Sequence, residues 1–166
     1  MLIIAFRGTK SAKVPEFIAN IAKDTRGVVK HDLRFIPRDS DQNKKYRKIG
    51  VHRGFYNEYN RYRKQILRYV DRNPKKEIFV IGHSLGAGLA TLCSFDIAVN
   101  KSREVQGYFF GAPRIGGEDF RQAFNTEVPN TFRMAVHDDP ITKIPPSALF
   151  DLLEYRHVGK LLLLKE

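Results

Sequence analysis

One cysteine, Cys93, is all that the 166 residues hold, so no disulfide can form within the chain and nothing argues for an oxidising compartment. No Cys/His spacing of the kind that holds zinc is present either, which leaves no metal and no cofactor to expect. No apolar run approaches the roughly 20 residues of a membrane span, and there is no repeat or low-complexity tract. The opening apolar run, Leu2 to Phe6, is too short for a signal peptide and has no basic region before it. The expectation is therefore a cytoplasmic protein, or one at a membrane periphery. The length suits one domain, residues 1–166, with a core that needs no staples.

Acid is also scarce: 18 Asp and Glu stand against 29 Lys and Arg, a net charge of +11. The excess is local. Arg26 to Lys76 holds 16 basic and 5 acidic residues, and the flanks cancel. Such a segment attracts phosphate in any form, on nucleic acid, anionic lipid or a charged substrate. It also serves as a solvated surface that keeps a protein soluble. No nucleic-acid-binding motif accompanies it, and the aromatics of its helix fall on the inner face, so no nucleic acid is expected.

What is present centres on Glu77 to Gly88, EIFVIGHSLGAG. Ile78 to Ile81 form a short apolar run rich in β-branched and aromatic residues, which suits a strand buried on both faces of a parallel sheet. Gly82-His83-Ser84-Leu85-Gly86 follows and fits G-x-S-x-G. A small-residue, apolar stretch from Ala87 to Cys93 then opens a buried helix. Strand, sharp turn and helix are what a nucleophile elbow needs, with the serine in a strained backbone conformation at the top of the sheet. Side chains at Gly82 or Gly86 would collide as the chain turns back on itself. The alternative is a serine in an ordinary glycine-rich βα turn.

The rest of the chain alternates. Strands are predicted at Leu2 to Phe6, Val28 to Phe35, Val105 to Phe110, Thr131 to Val136 and Tyr155 to Leu164. The second is weakened by Lys30 and Asp32. Helices are predicted from Val14 to Asp24, Tyr56 to Asp71, Asp119 to Phe124 and Leu149 to Glu154. In the second of these, Phe55, Tyr59, Tyr62, Ile66, Tyr69 and Val70 make the inner stripe. The helix from Val14 is read either as a crossover packed on the sheet or as a lid over a substrate site. This pattern predicts an α/β fold with a mainly parallel sheet of about six strands and helices on both faces. Catalytic residues of such a sheet belong at the carboxyl ends of strands, where Ser84, Asp139 and Thr9 all fall.

A serine hydroxyl needs a base to take its proton, and the base needs a carboxylate to orient it. In this kind of fold the chain order is Ser, acid, His. Asp139 suits the acid, or an Asx turn before Pro140. One oxyanion donor should be the N–H of Leu85, the other an N–H from the loop after the first strand, around Gly8-Thr9.

The motifs IIAFRGT, VHRGF, VIGHSLGAG, FGAPRIGG, DDPITKIPP and YRHVG, in that order from Leu2 to Gly159, resemble the class 3, or fungal-type, lipases of the α/β-hydrolase fold. The resemblance implies Ser84 as nucleophile, Asp139 as triad acid, and the backbone N–H groups of Thr9 and Leu85 as oxyanion hole. It assigns the segment after Thr9 to the family's lid. It implies a truncated sheet, because this chain begins on its first strand. It leaves the base open, because the family's triad histidine usually lies well after the YxHVG-like segment and this chain ends nine residues after His157. His157 follows the acid in chain order and is the candidate base. His31, His52, His83 and His137 are the other histidines, and His52 and His83 stand where the family has histidines without triad roles.

The reading is a serine ester hydrolase working through an acyl-enzyme on a lipid or other ester, with an anionic membrane surface as a possible partner. Two rivals stand beside it: a lipase-like scaffold kept for binding, and a basic nucleic-acid-binding module. Acyl chain, head group and oligomeric state are not legible.

Overall fold

The computed structural model describes residues 1–8, 31–33, 35, 44–46, 48–145, 148–149 and 153–164. Its centre is a five-stranded parallel sheet. The strands, in spatial order, are β1 (Leu2–Phe6), β4 (Ile78–His83), β5 (Val105–Phe110), β6 (Thr131–Ala135) and β9 (Lys160–Leu163). The apolar run before the elbow is the second strand from one edge, flanked on both sides, as a run without alternation requires.

Three helices are described: α1 (Arg53–Asp71), α2 (Leu85–Lys101) and α3 (Glu118–Glu127). Helix α2 lies against the sheet and is buried almost all round, from Leu85 through Ala90, Leu92, Cys93 and Phe95 to Val99. Its small residues let it sit close to the strands; a Cβ at Gly88 would overlap the ring of Phe55 from α1. Alternate residues Ile78 and Val80 of β4, and Val105 and Phe109 of β5, face it. Phe95, Phe120, Phe124 and Phe109 join α2, α3 and the sheet through ring contacts of 5.4–6.3 Å. The three described helices thus stack on one face. The other face carries Phe79, Tyr108 and Phe132, stacked strand to strand at 6.4 and 5.8 Å, and remains half-exposed among the described residues.

Helix α1 leans on α2 through a buried charge. Asp96 accepts from the Tyr59 hydroxyl (2.6 Å), the Arg63 guanidinium (2.7 and 3.1 Å) and the Asn100 amide (2.5 Å). The predicted stripe of α1 is rotated: Phe55, Tyr59 and Val70 are inside as expected, joined by Tyr56 and Leu67, whereas Tyr62 and Tyr69 are 44% and 52% exposed. Tyrosine tolerates either place because its ring packs while its hydroxyl stays wet; that of Tyr62 bonds Glu58 at 3.1 Å.

Three other expectations change. Among the described residues the main sheet has five strands, where about six are expected. Within the strand predicted at Val28 to Phe35, the described residues form β2 (His31–Asp32), paired antiparallel with β3 (Gly50–Val51) outside the main sheet, and residues 28–30 and 34 lie outside the described residues. Its charged neighbours weaken it for a doubly covered place. The helix predicted over Leu149 to Glu154 is instead a short hairpin of β7 (Ala148–Leu149) and β8 (Leu153–Glu154). Six residues are too few to offset the cost of starting a helix. The helix or lid predicted over Val14 to Asp24 lies outside the described residues.

Candidate active site

Ser84 is the hinge of the elbow. It has φ 55° and ψ −125°, a conformation that residues with a Cβ avoid, and it caps the N-terminus of α2. The strain is held from both sides. The Ser84 N–H donates to the Phe110 carbonyl of β5 (2.8 Å), and its own carbonyl accepts from Ala87 N–H (2.9 Å). The expected steric need for glycine is met: a Cβ at Gly82 would come within 2.6 Å of Ala87 Cα, and one at Gly86 would overlap the Phe6 carbonyl. Ser84 is 8% exposed. The N–H of Leu85, at the first position of α2, has no acceptor within the helix and stands at its positive end.

Gly8, after β1, abuts this turn: a Cβ there would lie 3.0 Å from the His83 carbonyl and 3.3 Å from Ser84 Cβ. The loop that was expected to give the second oxyanion donor therefore leaves β1 beside the serine. Thr9 itself lies outside the described residues.

Asp139 reaches the same edge from β6. It caps a short 3₁₀ turn, Pro140–Lys143, with Oδ1 accepting from Ile141 N–H (2.9 Å), so the Asx-turn reading is correct for one oxygen. The other, Oδ2, lies over Gly111, 2.5 Å from where a Cβ would stand. Gly111 has φ 54° and directly follows Phe110, whose carbonyl holds Ser84. A side chain there would displace the carboxylate. Ser84 and Asp139 are thus tied to one junction at the end of β5.

His157 is held differently. β9 runs parallel to β6, so the chain crosses the sheet after Asp139 and β9 starts at the amino edge. Gly159 lies against Thr131, the first residue of β6. The ring of His157 bonds through Nε2 to the Thr142 carbonyl at 2.9 Å, and Nδ1 is buried without a hydrogen-bond partner. Burial, then the nearby Arg133 and Arg114, push its pKa down to about 4. Neither ring nitrogen bonds Ser84 or Asp139. His83 is exposed, and the exposed His137 faces Asp138 at 3.3 Å. His52 caps α1, its Nδ1 accepting from Gly54 N–H. The side chain of His31 is outside the described residues. Cys93 offers no competing nucleophile, because complete burial pushes its thiol well above the ordinary value.

Sequence reasoning missed Arg114 and Arg133, which surround His157. The signal was available in Arg133, an arginine between Phe132 and Met134 in an otherwise apolar strand. Among the described residues no Cys, His, Asp and Glu group could hold a metal ion.

The family model described as Lipase (class 3) matches residues 3–149. A phospholipase A1-II 5 of Oryza sativa subsp. indica is 39% identical over 109 residues, covering 60% of this chain and 22% of the relative. A secreted mono- and diacylglycerol lipase A of Penicillium camembertii is 34% identical over 82 residues, covering 49% of this chain and 27% of the relative. The crystal structure of MDLA from Penicillium cyclopium superposes with a TM-score of 0.72 at 25% identity, covering 99% of this chain and 54% of that one. A triacylglycerol lipase whose catalytic centre is described as a serine protease triad gives 0.71 at 21% identity, with 94% and 55% covered. The chain spans about a quarter of the length of these curated relatives and about half of these structures. With its elbow, its sheet and the match over most of its length, the chain belongs to the class 3 lipase family.

Proposed function

We propose that this chain is a serine ester hydrolase acting on a glycerolipid-type ester through an acyl-enzyme. Ser84 Oγ attacks the ester carbonyl, and the carbonyl oxygen takes the negative charge. The N–H of Leu85, at the positive end of α2, and that of Thr9 receive that charge. The hydroxyl proton passes to a base and on to the departing alcohol. Water then repeats the sequence in reverse and frees the acid. Asp139 orients the base. His157 is the candidate for that role, and filling it requires its backbone as well as its ring to move from the place beside Thr142. The substrate class rests on the relatives, named as phospholipase A1 and mono- and diacylglycerol lipase.

The observation that carries the reading is the strained Ser84, φ 55° at a helix N-terminus, joined through the end of β5 to a carboxylate. A fluorophosphonate probe should label the wild type and leave Ser84→Ala blank, and p-nitrophenyl ester turnover should vanish with the label. Equal labelling of both proteins would sink the assignment. The second reading, a scaffold kept for binding, is favoured by the engagement of His157 with Thr142. It predicts feeble hydrolysis in wild type and little further change in His157→Ala. For a working base the same substitution costs several orders of magnitude, since triad members act as a unit.

A further inference from the structure

Behind the acid-bearing turn, cationic side chains gather with no acid paired to Arg114 or Arg133 among the described residues. Arg114 follows β5 and clasps the turn, its Nη1 donating to the carbonyls of Lys143 (2.8 Å) and Pro145 (2.7 Å), and its backbone N–H to Ile144 (2.8 Å). His157 takes the Thr142 carbonyl of the same turn. Arg133 comes from the middle of β6, level with Phe109 in the register and so on the same, helix-covered side of the sheet. It is 8% exposed, and its Nε is buried with no hydrogen-bond partner. His157 Nδ1 is a second such atom.

The neighbouring acids are committed elsewhere. Glu118 pairs with Arg121, Glu154 with Arg156, and Asp139 Oδ1 accepts from Ile141 N–H. Among the described residues no carboxylate lies within ion-pair reach of Arg114 or Arg133. The cations are close enough to feel one another: after burial, Arg114 lowers the pKa of Arg133, and both arginines lower that of His157. A guanidinium does not lose its proton in a protein. A buried charge is held by an opposite one, because desolvation without a partner is severely unfavourable. Among the described residues this group has no anion.

We propose that Arg133, Arg114 and His157 form a binding site for a phosphate group, separate from the Ser84 hydroxyl and independent of whether the chain hydrolyses esters. The two guanidiniums suit the charged oxygens. With Nε2 donating its proton to Thr142, the neutral imidazole leaves Nδ1 as an acceptor, which matches the remaining O–H of a hydrogen phosphate or phosphate monoester. Sulfate brings the charge without that O–H. Binding would fasten β6 to the turn that carries Asp139.

The test is thermal unfolding of the whole chain in sodium chloride, sulfate or inorganic phosphate at equal ionic strength. Phosphate should raise the midpoint saturably, by about 3–6 °C at roughly ten times its dissociation constant, and by more than sulfate, which stabilises most proteins generally. Arg133→Met should remove the difference, and Lys75→Met, a surface change elsewhere, should keep it. Should Arg133→Met not fold, the His157 ring resonances of the wild type supply the readout, since they must shift along the same saturation curve. Soluble dihexanoyl phosphatidate in a parallel titration separates the sources: a response to it at lower concentration assigns a lipid head group, and a stronger response to inorganic phosphate assigns the free anion. Equal midpoints in phosphate and sulfate, or unmoved His157 resonances with both ligands, would overturn the proposal.

Discussion

Replacing His157 by glutamine removes a titrating group while keeping an N–H for the Thr142 carbonyl. The folded pKa of His157 is pushed down to about 4 by burial and by Arg133 and Arg114, below the ordinary histidine value of 6.5. The unfolded chain therefore takes up the proton first as pH falls. Above pH 6.5 neither state is protonated and the histidine adds no pH dependence. Between 6.5 and 4 the unfolded state binds more protons, so stability drops, and below 4 the loss is complete. At 1.36 kcal/mol per pKa unit the full loss is about 3 kcal/mol. For a chain of this size that lowers the unfolding midpoint by about 6–12 °C.

The assay is chemical unfolding at closely spaced pH values from 7.5 to about 4 in dilute chloride buffer, wild type beside His157→Gln. Other carboxylates and histidines titrate in the same window, but they do so in both proteins and cancel in the difference. The difference should be flat above pH 6.5, then shift in favour of the glutamine variant by about 3 kcal/mol towards pH 4. Parallel curves would refute the burial and the cationic surroundings together. The result also bears on catalysis. An imidazole with a pKa near 4 is a weak base at neutral pH, so a histidine that titrates near 7 instead would strengthen the case for it as the base.

Asp96→Ala should destabilise by about 3–5 kcal/mol, because it leaves the Arg63 charge half-buried and the Tyr59 hydroxyl without its acceptor; urea unfolding measures it, and a change below about 1 kcal/mol would show the pair to be dispensable. Gly111→Ala places a methyl on Asp139 Oδ2 at a positive φ. If Asp139 is the triad acid, ester turnover should fall by about 10²-fold, since small displacements carry that cost, while fluorophosphonate labelling of Ser84 persists; unchanged turnover argues against Asp139. Binding to anionic liposomes should weaken with salt through the basic segment Arg26 to Lys76, and equal binding to neutral liposomes would leave that segment as solvated surface.

Legibility followed the range of the interactions. The elbow could be read because its demands are local: Gly82 and Gly86 collide with atoms within five residues or on the adjoining β1, and the strain at Ser84 belongs to one turn. Strands β1 and β5 came out at their full bounds for the same reason, each a short apolar run between turn residues. The failures are contests between similar local preferences. Tyr62 and Tyr69 fit the apolar stripe as well as Tyr56 does, and only the place of α2 decides which face turns inward. The stretch Leu149 to Glu154 is short enough for either element, and the hairpin wins by pairing Ala148 with Glu154 and Leu149 with Leu153.

The site divides in the same way. Asp139 is a candidate by its position at the end of a strand and before Pro140 and by the resemblance of DDPITKIPP, and its relation to Gly111 belongs to a contact 28 residues away that no spacing reveals. His157 depended on one long-range fact, the direction of β9. Had the chain turned back after Asp139, His157 would have started beside the carboxylate. The parallel pairing of β9 with β6 sends it across the sheet, and its ring meets Thr142 and two arginines. Arg133 explains why this was hidden. Between Phe132 and Met134, alternation shows that Arg133 shares neither neighbour's face but not which face the helices cover. Once α2 and α3 take the side of Phe109, the guanidinium is inside with the imidazole. Burial depresses the pKa of His157 first, and the positive charge that lowers it further is the same charge that asks for an anion. Binding one would raise that pKa again, so phosphate should shrink the acid sensitivity of the wild type and leave that of His157→Gln unchanged.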